Sequence, residues 1–130
     1  MVSSTLRMVF VPPAREEALQ VLRSLLGPVR SHPGCLATRL MRDEQDERVL
    51  TWVENWQTRE DHERHVRSDA FRRLLAVMDL AAEPPLFEVD EVERRQGFEI
   101  VEQLRGTAPL VSLGVDSNRK RGVQEDTTKP

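Results

Sequence analysis

The sequence predicts an α+β domain built on one antiparallel sheet. Four segments have the short apolar or alternating pattern of strands, and the segments between them repeat apolar residues at helical spacing. The chain has 130 residues, which is the usual size of a single domain and too short for a barrel of eight βα units.

The first strand and the first helix are separated by a proline pair. Residues 6–11 form an apolar run that stops at Pro12 and Pro13. A helix is predicted from Ala14, because proline is favoured in a first helical turn. Its apolar stripe consists of Ala18, Leu22, Leu25 and Val29, with Leu19 and Leu26 beside them. We expect Gly27 and Pro28 to end or kink this helix.

A hairpin occupies the middle of the chain. Residues 35–42 and 48–57 alternate as strands do, and the polar residues 43–47 join them. In the first of these strands, one predicted face carries Leu36, Thr38 and Leu40, and the other carries Cys35, Ala37, Arg39 and Met41. In the second, Leu50, Trp52, Glu54 and Trp56 share one face, and Val49, Thr51, Val53 and Asn55 share the other.

Two short helices and a last strand complete the order. Thr58 followed by Asp61 is typical of a capped helix start, and this helix is expected to reach about residue 66. Ser68 or Asp69 caps the next helix, whose apolar face carries Phe71, Leu74, Leu75 and Met78. Residues 83–85 break it, and residues 86–92 form the fourth strand. The result is a ferredoxin-like split β-α-β fold, with a four-stranded antiparallel sheet and its helices on one face.

The other face of that sheet has no helix to cover it. Val49, Thr51 and Val53 on this face are β-branched and largely apolar, and the matching side of the first strand is expected to be apolar too. A bare apolar face of this size predicts a partner. The simplest partner is a second copy of the chain related by two-fold symmetry.

The domain is predicted to span residues 1–95, and residues 96–130 form a C-terminal arm or tail, exchanged between the two copies or partly flexible. Phe98, Val101 and Leu104 suit a helix, whereas Phe98 with Ile100 suits a strand. We favour a strand or arm lying on the partner. Residues 106–130 have the polar composition of a tail.

Charge and composition exclude several functions. The net charge is −3, with acids and bases interleaved, so nucleic acid is not expected as a partner. No apolar run approaches the length of a membrane span. The single Cys35 and the lack of a leader pattern favour the cytoplasm. There is no Tyr, and Lys occurs only at Lys120 and Lys129, so tyrosyl and lysine Schiff-base mechanisms are excluded from the folded part.

Four ordered segments resemble the antibiotic biosynthesis monooxygenase family of small dimeric α+β barrels. They are residues 32–36 (HPGCL), 49–56 (VLTWVENW), 58–62 (TREDH) and 67–72 (RSDAFR). The resemblance implies a homodimer with a cavity between the helices and the sheet. For part of the family it implies cofactor-independent oxygenation of a small planar phenol or quinol, in which the deprotonated substrate itself passes an electron to O2.

The resemblance places the candidate pocket on the Trp56 face of the third strand. Its predicted walls are Trp52, Trp56, Phe71 and Leu75, with Glu54, His65 and Arg72 as further substrate-binding residues. His62 stands where some relatives carry a Tyr, and it is the predicted catalytic residue, as proton acceptor or as the donor that orients oxygen. Glu54, if buried, needs a partner: Arg39, Arg72 or a histidine. We expect no cofactor and no metal.

Other interpretations stay open. Polyphenol-oxygenating relatives carry an Asn at the position of Trp52, and its absence favours a non-catalytic ligand-binding or dimerisation module. Haem-degrading relatives carry a Trp and a His where this chain has His65 and Leu75, so haem binding or degradation is less favoured. A small isomerase using His62 as base is a further alternative. The plain alternatives are that the histidines are solvated and that the tryptophans only fill the core.

Overall fold

A computed structural model describes residues 1–106 of the chain. Its first compact unit is Met1–Val92, and the second begins at Glu93. The first unit contains β1 (Val2–Val9), α1 (Ala14–Arg30), β2 (Cys35–Arg42), β3 (Val49–Trp56), α2 (Arg59–Val66), α3 (Asp69–Met78) and β4 (Leu86–Glu91). This order confirms the predicted α+β fold class.

The sheet has the strand order β2-β3-β1-β4, and all its neighbouring strands are antiparallel. β1 and β3 are therefore the central strands, paired along their whole length from Val2–Trp56 to Val9–Val49. The core lies between one face of this sheet and the apolar stripes of the helices. Its largest fully buried aliphatic residues are Leu6, Met8, Leu22, Leu25, Leu50 and Leu74.

The start of β2 departs from the predicted alternation. The register shifts between Cys35 and Ala37, so Cys35 lies opposite Trp56 and packs against the core. Leu36 is instead 55% exposed. The predicted faces of Cys35 and Leu36 were wrong, because a β-bulge takes one residue out of the period-two pattern. Thr38 and Leu40 follow the prediction.

α1 does not end at Gly27 and Pro28; it continues to Arg30 with Pro28 inside it. Pro28 has no N–H to donate to the preceding turn, which weakens a helix at that point. Val29, however, is fully buried and extends the apolar stripe by one more turn. Packing of the stripe on the core therefore outweighs the lost backbone hydrogen bond.

The sheet face opposite α1–α3 is less apolar than predicted. The register places Ser3, Thr5 and Arg7 of β1 beside Asn55, Val53 and Thr51 of β3. The expectation that this side of the first strand is apolar was wrong, because alternation along β1 puts Val2, Leu6 and Met8 in the core instead.

In the second unit, Glu99–Arg105 forms a helix, α4, which ends at Gly106 in a left-handed conformation. The preference for a strand in this segment was wrong, and the helical spacing of Phe98, Val101 and Leu104 was the better guide. The rest of the predicted tail lies outside the described residues. None of the helices in residues 1–106 is long and apolar enough to cross a membrane.

Candidate functional site

Helix α2 brings two histidines against the sheet. It begins at an N-cap, Thr58, whose Oγ1 accepts a hydrogen bond from the N–H of Asp61 at 3.1 Å. His62 and His65 lie one turn apart on the inner side of this short helix, and they are only 7% and 1% exposed. The interpretation of these histidines as solvated surface residues is therefore wrong.

A buried carboxylate lies at the centre of the cluster. Glu54 is 1% exposed, and its two oxygens accept hydrogen bonds from three ring N–H groups. Trp52 Nε1 donates to Oε2 at 2.7 Å, Trp56 Nε1 to Oε1 at 3.0 Å, and His65 Nε2 lies 2.8 Å from Oε2. The period-two repeat of β3 places both indoles beside the carboxylate on one face.

These hydrogen bonds keep Glu54 ionised. Burial by itself raises the pKa of a carboxyl group, but the hydrogen bond and charge of His65 and the two indole donors outweigh it, and the pKa of Glu54 is lowered. Because an ionised carboxylate only accepts hydrogen bonds, Nε2 of His65 carries a proton. Of the partners considered for Glu54, the structure selects a histidine; Arg72 is instead paired with Asp69 at 2.7 Å.

Aromatic rings enclose His65. Its ring stacks on Trp56 with centroids 4.7 Å apart and meets the edge of Phe71 at 5.5 Å. Its second nitrogen, Nδ1, lies 3.4 Å from Nδ1 of His32 in the turn before β2. His32 was not among the predicted site residues. The available signal was its position two residues before Gly34, in the turn before β2. The carbonyl of Gly34 accepts the N–H of Gln57, the residue after β3.

His62 faces a groove beside this cluster. The groove has a volume of about 450 Å³, and besides His62 it is lined by Val2, Arg59, Glu63, Val66, Arg67, Val89 and Glu91. The buried Nε2 of His62 has no hydrogen-bond partner among the described residues. Burial lowers the pKa of His62, and the opposing influence of the Glu54 charge does not reverse this. The imidazole is therefore neutral near pH 7 and able to accept a proton.

The predicted site residues are not all brought together. Trp52 and Trp56 are fully buried and donate their N–H groups to Glu54. Leu75 is 49% exposed, and the Arg72 side chain is exposed beside Asp69. Of the groove residues on α2 and β4, only His62 was predicted. The others were missed because the groove depends on the alignment of β4 with β1, where Val2 lies opposite Glu91. Among residues 1–106 there is no group of three His, Cys, Asp or Glu side chains able to hold a metal ion.

Fold and site together define an α+β domain with a buried carboxylate–histidine pair. The sequence profile of the antibiotic biosynthesis monooxygenase family matches residues 1–77. The chain therefore belongs to this family, as the four ordered segments predicted.

Several solved structures are similar in fold to this chain. A crystal structure described as an antibiotic biosynthesis monooxygenase is 22% identical, with a TM-score of 0.65 over 72% of this chain and 100% of that one. Rv0793 of Mycobacterium tuberculosis is 21% identical, with a TM-score of 0.67 over 74% and 98%. PA3566 of Pseudomonas aeruginosa is 23% identical, with a TM-score of 0.61 over 73% and 94%. No curated protein sequence matches the chain.

Proposed function

We propose that the protein is a homodimeric, cytoplasmic monooxygenase that oxidises a small planar phenol or quinol with O2 and without a cofactor. The observation that carries this proposal is His62. Its neutral imidazole lines a groove, and its buried Nε2 has no partner among the described residues. An unpaired buried nitrogen costs about 1–3 kcal/mol, and we infer that a substrate hydroxyl group reaching Nε2 from the groove relieves that cost.

The apolar parts of the groove suit a flat ring. Val2, Val66 and Val89 contribute aliphatic surface. The polar lining consists of His62, the two arginines and the two glutamates. Arg59 is ion-paired with Glu91, and Arg67 donates to the carbonyl of Glu63 at 3.3 Å. Pockets for small ligands combine these features, apolar walls with a few oriented polar groups.

In the proposed reaction the substrate supplies every electron. The phenol passes its hydroxyl proton to His62, and the phenolate transfers an electron to O2. Oxygen bonds to a ring carbon as a hydroperoxide, whose outer oxygen takes the proton held by His62. His62 then accepts the proton of that carbon as the O–O bond breaks and hydroxide leaves. A phenol and one O2 thus give a quinone and one water, with the proton on His62 returned to the departing oxygen. General-base assistance of this kind is worth about 10²- to 10⁴-fold in rate.

The test is oxygen uptake with a panel of dihydroxyaromatic compounds, using wild type and His62→Gln. We expect uptake with at least one compound and a loss of at least tenfold in the variant. The matched control is Arg73→Gln, an exposed change on α3 whose guanidinium contacts only Ser24 in the described hydrogen bonds, and which is expected to keep the wild-type rate. Absence of turnover with every compound, or full activity of His62→Gln, would refute the mechanism.

A binding module without catalysis is the second candidate. It is favoured by the burial of Trp52 and Trp56, whose indoles donate to Glu54 and are not offered to a ligand. Thermal unfolding in the presence of the same compounds separates the two functions. Stabilisation by a compound that is never oxidised would indicate binding alone.

A further inference from the structure

We propose that His32, His65 and Glu54 form a proton relay that connects the buried carboxylate with solvent. The three side chains are consecutive in space although they come from the turn after α1, from α2 and from β3. Nε2 of His65 lies 2.8 Å from Glu54, and Nδ1 of His65 lies 3.4 Å from Nδ1 of His32. His65 and Glu54 are almost completely buried, whereas His32 is only half-buried.

Hydrogen-bond chemistry allows only two arrangements of the protons in this relay. Glu54 accepts, so Nε2 of His65 is protonated in both. When His65 is neutral, its Nδ1 is an acceptor, and His32 must supply the proton from its own Nδ1. When His65 is positively charged, its Nδ1 donates, and Nδ1 of His32 accepts. In both cases one proton lies between the two Nδ1 atoms.

Moving that proton transfers charge from the surface to the core. A proton that arrives at Nε2 of His32 makes this ring cationic, and its Nδ1 proton then passes to Nδ1 of His65. The relay ends with a charged His65 held against the carboxylate of Glu54 and a neutral His32 protonated at Nε2. The reverse sequence releases the proton to water. Each step moves one proton between identified nitrogens and leaves the heavy atoms in place.

Among the described contacts, the surrounding titratable groups give the proton no second path to His65. His62 lies one turn away on α2, and Cys35 is at the start of β2, where its Sγ is 3.2 Å from Oγ1 of Thr38. Arg30 of α1 donates to the carbonyl of Thr38. Glu54 is the carboxylate hydrogen-bonded to His65, and His32 is the remaining hydrogen-bond partner of that ring.

The relay has a consequence that rests on the proposed function. Charge on Glu54 raises the pKa of His62, and charge on His65 lowers it. A proton stored on His65 therefore makes His62 a weaker base, and its release makes His62 a stronger one. The relay itself does not require any substrate, so it is testable whether or not the protein is an oxygenase.

The experiment is histidine NMR on the full chain, with ¹H–¹⁵N correlations that distinguish protonated from unprotonated ring nitrogens. At high pH we expect His65 protonated at Nε2 and His32 protonated at Nδ1, the tautomer that free histidine disfavours. As the pH falls, the Nδ1 signals of both rings are expected to change together. At high pH, where both rings are neutral, a His32 protonated at Nε2 would overturn the relay. A change in the His32 ring signals with no response from those of His65 would overturn it too.

Substitution at His32 gives a second readout. In His32→Phe, exchange with water of the proton at Nδ1 of charged His65 is expected to slow at least tenfold, because its path to solvent through His32 is removed. The control is Ser31→Ala in the same turn, which is expected to leave exchange unchanged. The indole N–H signals of Trp52 and Trp56 report whether the cluster stays folded. Unchanged exchange in His32→Phe with intact indole signals would also overturn the relay.

Discussion

At the scale of single residues, the buried carboxylate of Glu54 determines how the site is arranged. Three ring N–H groups point at its two oxygens, and Ser4 Oγ lies 3.5 Å from Oε1. A carboxylate removed from water in this way is tolerated only when it is fully hydrogen-bonded. The alternation of β3 was enough to predict which residues flank Glu54. The contact of His65 with His32 spans 33 residues of chain, and no local pattern reports it.

Glu54→Gln is predicted to destabilise the protein by about 3 kcal/mol, because an amide presents one N–H₂ group to donors that need an acceptor. The measurement is urea unfolding at constant protein concentration. Glu88→Gln, an exposed change on β4, is the control and is expected to stay within about 0.5 kcal/mol of wild type. A loss below about 1 kcal/mol for Glu54→Gln would contradict the account of the cluster.

Stability is predicted to fall as the pH drops below about 6.5, the usual pKa of histidine. The folded-state pKa values of His62 and His32 are both lowered, chiefly by burial. The unfolded chain therefore binds protons more readily, and stability is lost as the pH falls from 6.5 through the folded pKa values. In His62→Gln the loss between pH 7.5 and 5.5 should be smaller, as measured by urea unfolding at each pH. An unchanged loss would show that His62 is not held neutral by the fold.

At the scale of elements, the position of α2 depends on a close contact with the turn before β2. Gly34 has φ of 83°, and a Cβ there would overlap the carboxyl group of Asp61, which the Thr58 hydroxyl and Arg64 hold in place. Helix starts such as Thr58 and Ser68 were predictable because caps are local signals. The bulge at Cys35 and the extension of α1 through Pro28 were not, because packing across the sheet decides both.

Two glycine substitutions test this contact. Gly34→Ala is predicted to cost about 2 kcal/mol or more, from the left-handed backbone and the overlap with Asp61. Gly27→Ala lies inside α1 with nothing within 4 Å of its new methyl group, and it should stabilise the protein by about 0.5–1 kcal/mol. Thermal unfolding measures both. Equal effects of the two changes would contradict the role assigned to Gly34.

At the scale of the whole molecule, the proposed homodimer would cover the sheet face opposite α1–α3. Thr5, Thr51 and Val53 lie on that face. The edge strand β4 also exposes Leu86, Phe87 and Val89. The fold class and the order of elements along the chain followed from the sequence, because periodicity reports which residues are buried. The polar residues of β1 on this face, Ser3, Thr5 and Arg7, were not predicted, since their position depends on the register of β1.

Light scattering is predicted to give the mass of two chains for wild type and of one chain for Val53→Arg, because a charge at the centre of the contact remains unpaired. Leu75→Arg places the same charge at an exposed position on α3, and this control should stay dimeric. A monomeric wild type, or a dimeric Val53→Arg, would contradict the proposed use of this face.

The most direct test of the proposed oxygenase is the pH dependence of kcat/KM for oxygen uptake with a phenolic substrate. Wild type is expected to lose rate below an apparent pKa lying under 6.5, because His62 must be neutral to accept the proton and burial lowers its pKa. In His62→Gln this acid limb should disappear and the rate should fall at least tenfold. A wild-type profile without an acid limb, or an unchanged profile in His62→Gln, would contradict the assignment of His62 as the base.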